Sequence, residues 1–134
     1  MILQSLAGLP AFLVYFCTAI VVVVAYLFVY TRVTQHHEFE LIRQNVPGAA
    51  VSLGLSLLGF TLPVVSAMTH AANVVDCLCW CAIALAVQIG VYFMVRVPVP
   101  NLSARIAQGE LAPAIWLGLA SLSAGALNAA SMIY

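Results

Sequence analysis

The sequence predicts an all-α membrane protein: four transmembrane helices set out as two tandem helical hairpins, with a short interfacial helix in each polar connection. Three observations lead there. Of the 134 residues, 65% are apolar and 6% charged, and the mean hydropathy is +1.13. Soluble domains carry about a quarter charged residues, so this chain cannot cover a water-facing surface and belongs in a bilayer. Four apolar runs each reach the roughly 20 residues that cross ~30 Å of hydrocarbon. Finally, the chain matches itself, without gaps, at an offset of 64 residues.

The first predicted span is Leu9–Tyr30. No basic segment precedes it and the apolar run is too long for a cleavable signal, so it is expected to stay in the membrane. Its VVVVAYLFVY stretch is bulky and suits lipid contact. The connection TRVTQHHEFELIRQN places Phe39 and Ile42 at helical spacing, which reads as a short helix lying on the bilayer surface. Asn45 followed by Pro47 marks the start of the second span, Pro47–Thr69. Inside it Pro63 frees the Gly59 carbonyl and predicts a kink. The third span is Val74–Val95, stopped by the prolines of PVPNLSARIAQGE. Leu102 and Ile106, four apart in that connection, predict a second and weaker interfacial helix. The fourth span is Leu111–Ile133.

In the 64-residue register Cys17 falls on Cys81, Arg32 on Arg96, Ile42 on Ile106 and Gln44 on Gln108. The run LGL at 53–55 falls on LGL at 117–119. Apolar chains match by chance, but here the basic boundaries, connections and small-residue patches coincide as well. Residues 1–70 and 71–134 thus form two helical hairpins. Two spans per unit insert both units the same way, so the expected relation is a parallel pseudo-twofold along the membrane normal, not an inverted repeat. All four arginines, Arg32, Arg43, Arg96 and Arg105, lie in or beside the first and third connections. By the positive-inside rule, segments 31–46 and 96–110 are cytoplasmic and both termini periplasmic.

The stretches LFVYTRVTQHHEFELI, LLGFTLPVVSA, IALAVQ and SAGALNAAS, in that order, resemble the YjfL-like family of small bacterial inner-membrane proteins, catalogued as domain of unknown function 350. The resemblance covers essentially the whole chain. It implies a two-helix domain used in tandem and a place in the bacterial inner membrane, but no established activity and no catalytic residues. It also implies gene neighbours of two kinds, PspA-like membrane-maintenance proteins and glutathionylspermidine-synthase-like enzymes, an association rather than a mechanism.

Candidate polar groups are few. Asp76 stands three residues after Asn73, the pattern of a capped helix start whose carboxylate also complements the helix dipole. The alternative turns Asp76 into the bundle, paired with Asn128 or with a cation, as ionisable groups in spans often mark pathways. Gln88, mid-span, needs a hydrogen-bond partner on a neighbouring helix or subunit. Asp76, Asn128 and Gln88 together are the candidate pathway or polar core. Cys77, Cys79 and Cys81 lack the loop spacing of a zinc site and read as small apolar residues. A metal site with Asp76 or His70, or a Cys17–Cys81 bond across the pseudo-twofold, is the alternative. His36, His37, Glu38 and Glu40 read as a solvated turn at the headgroup level, against a metal- or polyamine-binding reading.

Small residues at four-residue spacing line the second and fourth spans, and Gly54, Gly118 and Gly125 are the expected helix-packing positions. Phe39, Glu40, Arg43 and Arg105 are the expected contacts with the membrane surface or a partner. No nucleophile–base pair, HExxH or phosphate loop occurs, so no catalytic, cofactor or metal residues are expected. The zero net charge and the absence of lysine argue against nucleic acid. The expected function is that of a homo-oligomeric, non-enzymatic scaffold or partner in membrane maintenance, with a peripheral PspA-like protein as candidate partner. The second expectation is an oligomeric ion or small-solute channel with Asp76 and Asn128 near its outer mouth.

Overall fold

The computed structural model describes residues 1–34 and 36–132, and every regular element among them is helical. In order these are α1 (Ile2–Leu6), α2 (Leu9–Val33), α3 (Glu38–Arg43), α4 (Pro47–His70), α5 (Val74–Val95), α6 (Leu102–Ala107) and α7 (Leu111–Ser131). Four are long and apolar enough to cross a membrane, with α1 and α2 together making the first, Ile2–Val33. The third span matches its predicted bounds residue for residue. The predicted end of the fourth, Ile133, and the last two residues of the second unit lie outside the described residues.

Local chemistry explains the boundaries. Asn73 accepts a hydrogen bond from the Asp76 backbone N–H at 2.8 Å, and the Asp76 carboxylate accepts one from Ala72 N–H at 3.1 Å, a reciprocal cap on α5. Before α4 the chain turns through Asn45 at φ 64°, and before α7 through Gly109 at φ 89°. These are left-handed conformations that Gly and Asn tolerate best. Each turn is closed alike, by Val46 N–H to the Leu41 carbonyl and by Glu110 N–H to the Arg105 carbonyl, both 3.0 Å. The starts of α3 and α6, and those of α4 and α7, are each 64 residues apart.

The core is the α4–α7 pair, with α5 packed against both and α2 reaching α4 and α5 through its C-terminal half. Backbones come closest where Gly59 meets the Ser121–Gly125 turn. A Cβ on Gly125 would overlap the Gly59 carbonyl oxygen, the same carbonyl that Pro63 leaves without its helical donor. Only glycine permits that approach. Gly118 is likewise closed, since a Cβ there would stand 2.7 Å from Leu55 Cδ1. Gly54 departs from the expectation. It is exposed and nothing would meet its Cβ within 4 Å. Its counterpart contact would need Leu119, which is half exposed on the outer face of α7. Gly59 takes the central role instead.

Two further expectations are corrected. The C-terminal part of α2 is not a lipid-facing surface throughout, because Tyr26 and Tyr30 are fully buried. Cys17 is exposed while Cys81 is buried in the bundle, and all four cysteines are free thiols. Cys77 and Cys81 share the inward face of α5, as their i, i+4 spacing requires.

Candidate functional site

At the end of the bundle where α2, α3, α5 and α6 meet, aromatic and polar side chains collect out of reach of the exterior. Tyr26 and Tyr30 stack with ring centroids 5.3 Å apart, and Tyr26 stacks on Phe60 at 4.2 Å. The Tyr26 hydroxyl donates to the Ser56 carbonyl at 3.3 Å, and the Tyr30 hydroxyl lies 3.1 Å from Ser56 Oγ. The Tyr92 ring meets Tyr30 edge-on at 6.1 Å, and its hydroxyl bonds to Ser103 of α6. These tyrosines place their polar tips on partners, the condition for burying them.

The α2–α3 junction adds ionisable groups to this cluster. His36 is 2% exposed and Glu38 1%. The expected solvated turn is therefore wrong for these two residues, although His37 and Glu40 are exposed. The reason is that α3 folds back onto α4, which turns Glu38 inward. Thr34 Oγ1 donates to the Glu38 carboxyl. His36 Nε2 lies 3.3 Å from Glu38 Oε1 but is not aligned as a hydrogen bond, and both His36 ring nitrogens and Glu38 Oε2 lack a partner. Burial disfavours charge on both residues. It pushes the Glu38 carboxyl up to about 7, against a smaller downward pull from Thr34, and the His36 imidazole down to about 4. At neutral pH the histidine is uncharged and the acid is poised between its two forms.

The expected polar core is scattered rather than gathered. Asp76 sits in its cap at the opposite end of α5, and among the described residues no hydrogen bond joins it to Asn128. Gln88 is fully buried and donates to the Ser121 carbonyl at 3.1 Å, so its partner is on α7; its Oε1 has none. Asn128 is half-buried with an unpartnered Nδ2. Of the expected surface contacts, Phe39, Glu40 and Arg43 are exposed and Arg105 is half-buried, held by Glu110 at 3.1–3.2 Å. Among the described residues no group of three or more His, Cys, Asp or Glu is placed to hold a metal ion. The tyrosine–serine cluster went unread in the sequence. Its one signal was Tyr26 and Tyr30 at i, i+4 beside an otherwise aliphatic run.

Four long apolar helices with one polar end define a small multi-pass membrane protein. The chain belongs to the family described as Domain of Unknown Function (DUF350), whose profile matches residues 4–132. It is similar to the UPF0719 inner membrane protein YjfL of Escherichia coli (strain K12), at 36% identity over 132 residues, 98% of this chain and 100% of that protein. The protein of the same description from Escherichia coli O157:H7 matches with the same figures. No solved structure matches significantly. Location in the inner membrane follows from this likeness and from the four spans together.

Proposed function

We propose that this protein is a non-enzymatic scaffold of the inner membrane that works as a homo-oligomer. The carrying observation is the state of α2. It is the longest helix, yet only Tyr26 and Tyr30 are buried, and Phe12, Phe16, Ile20 and Val24, a stripe at four-residue spacing, are about half exposed or more. A second copy laid along this face would cover it without disturbing the α4–α7 core. Two tandem hairpins, 1–70 and 71–134, fit the common 64-residue spacing of α3 with α6 and α4 with α7, and of the turns at Asn45 and Gly109. The arginine distribution supports an orientation with both termini in the periplasm and segments 31–46 and 96–110 in the cytoplasm. There α3 and α6 border the bilayer, and Phe39, Glu40, Arg43 and Arg105 offer a surface to a peripheral partner of the PspA-like kind.

Native mass spectrometry of the purified protein, with oxidative cross-linking through exposed Cys17 in membranes, tests the assembly. Dimers or larger species that lose affinity when Phe16 and Ile20 are changed to alanine are expected. A monomer by both measurements refutes the reading. The second reading, an oligomeric channel, is favoured by the unpartnered buried Gln88 Oε1 and Asn128 Nδ2, groups that a polar path would satisfy. Ion flux into liposomes decides it: the scaffold predicts none, while flux abolished by Asp76→Asn or Asn128→Leu would establish the channel.

A further inference from the structure

A cavity of about 210 Å³, open to the surface, lies between the end of α2 and α3, and its lining includes Arg32, His37, Glu38, Phe39, Glu40 and Arg43. Its chemistry differs from that of the rest of the surface. Among the described residues, Arg32 and Arg43 have no carboxylate within ion-pair distance; the arginine–carboxylate ion pair there is Arg105–Glu110. The Arg32 guanidinium lies over the Phe28 ring at 4.5 Å, a cation–π contact that uses a face of the group and none of its N–H donors. The floor is Glu38, almost wholly buried, with Oε2 unpartnered. Phe28 and Phe39, both exposed, stand beside the guanidiniums and offer apolar surface next to the charge.

The second half builds no such site. Arg96 repeats the stacking of Arg32, lying 5.6 Å over Tyr92, but the residue in the register of Arg43 is Ala107. Arg105 lines a cavity with Val99, Ala112, Pro113 and Trp116, and its guanidinium is already taken by Glu110.

We propose that the α2–α3 cavity binds the phosphate of an anionic phospholipid, with Arg32 and Arg43 on the phosphate oxygens and the acyl chains along Phe28 and Phe39. Two guanidiniums lining one cavity, each a planar fork of N–H donors, suit a phosphodiester, and their place at the end of a membrane span sets the depth of a headgroup. Glu40 on the rim opposes the anion, so the charge is favourable only while Glu38 keeps its proton: two cations against one carboxylate. A protonated Glu38 also offers its O–H to the phosphate, whereas an ionised Glu38 cancels the second guanidinium. Burial holds this carboxyl near neutrality. The titratable groups around it are His36, which stays uncharged, His37 on the rim, Tyr26 and Tyr30 on α2 and Tyr92 on α5 beyond His36. Helix α4 packs on α3 and brings no titratable side chain before His70 at its far end. The proposal stands whether or not the protein oligomerises.

The test reconstitutes the protein in phosphatidylcholine nanodiscs containing phosphatidylglycerol, re-extracts it in mild detergent and counts retained lipids by mass spectrometry. Wild type should retain phosphatidylglycerol over phosphatidylcholine at pH 6 and lose the preference by pH 8. Arg32→Gln with Arg43→Gln should lower retention by roughly tenfold or more, the expected loss of charge-assisted hydrogen bonds. Arg105→Gln should retain as wild type does, and Glu38→Gln should remove the pH dependence. Melting in pure phosphatidylcholine, where no anionic lipid is present, should be the same for wild type, the double arginine variant and Arg105→Gln, which separates loss of the site from loss of the fold. Retention unchanged in the double variant, or lowered equally by Arg105→Gln, overturns the proposal. So does displacement of the lipid by millimolar inorganic phosphate, which would make a soluble anion the occupant.

Discussion

Positions 38 and 102 open the six-residue helices α3 and α6, stand 64 residues apart and are equally closed to the exterior, at 1% and 0% exposed. One is Glu and the other Leu. The neighbours follow suit, with Thr34 and His36 in the first half where Pro98 and Pro100 stand in the second. Leu102 is an ordinary core residue, and the prolines beside it have no backbone N–H to satisfy. Glu38 fills the same kind of slot at the cost of desolvating a carboxyl, an arrangement that packing alone does not require. Position 102 holds an apolar core side chain, and position 38 holds an ionisable one.

Making the second half resemble the first should break it. Leu102→Glu buries a carboxyl where Pro98 stands in the register of Thr34, so no Thr34-like hydroxyl donates to it. The expected loss is about 3–5 kcal/mol, the range for an uncompensated buried charge. A fall of that size in the denaturant midpoint at pH 8, with partial recovery at pH 5 where the acid regains its proton, would confirm the contrast. A variant as stable as wild type at both values would mean that the slot tolerates a carboxyl anywhere and that Glu38 is not special.

The pair can also be separated by pH. With its pKa raised from 4.5 to about 7, Glu38 binds more protons in the folded than the unfolded state, so its contribution is lost as pH rises across that interval. With its pKa lowered from 6.5 to about 4, His36 does the reverse, and its contribution is lost as pH falls. The two slopes oppose each other between about pH 4.5 and 6.5, and wild type should be nearly flat there. Glu38→Gln leaves the histidine, and stability should then rise with pH by on the order of 1 kcal/mol per unit. His36→Phe leaves the acid, and stability should fall at a similar rate. Thermal unfolding in detergent across pH 4–8 reads both slopes. Equal slopes in the two variants would show that the groups do not titrate as burial dictates.

Much of the fold was legible because the hydrocarbon core imposes it. Span length, the prolines at 47 and 98, and the Asn73–Asp76 cap are local signals, and no tertiary contact has to override them. What was not legible is which face turns inward. HHEFE reads as solvated by composition, yet one helical turn folded back onto α4 buries its first acid and leaves Glu40 outside. Gln88 was recognisable as needing a partner, but nothing in the chain says that the partner is the Ser121 carbonyl, since that depends on how α5 is rotated against α7. Small-residue stripes pose the same problem, because spacing names several candidate glycines and rotation selects among them.

The smallest expected effect tests that selection. Gly54 and Gly118 occupy equivalent places in the two LGL runs, and sequence alone cannot rank them. A methyl at Gly118 would stand 2.7 Å and 2.9 Å from Leu55 Cδ1 and Cβ, so Leu55 must shift or α4 and α7 must part. Gly118→Ala should therefore cost about 1–2 kcal/mol, in the range of mild overpacking. Gly54→Ala meets nothing within 4 Å and removes backbone freedom from the unfolded chain, which should make it neutral or stabilising by about 0.5 kcal/mol. If the order is reversed in a single chain that remains monomeric, the α4–α7 rotation described here is wrong. If Gly54→Ala is destabilising only where the protein self-associates, Gly54 faces a second copy, and the small-residue stripe of α4 serves two contacts instead of one.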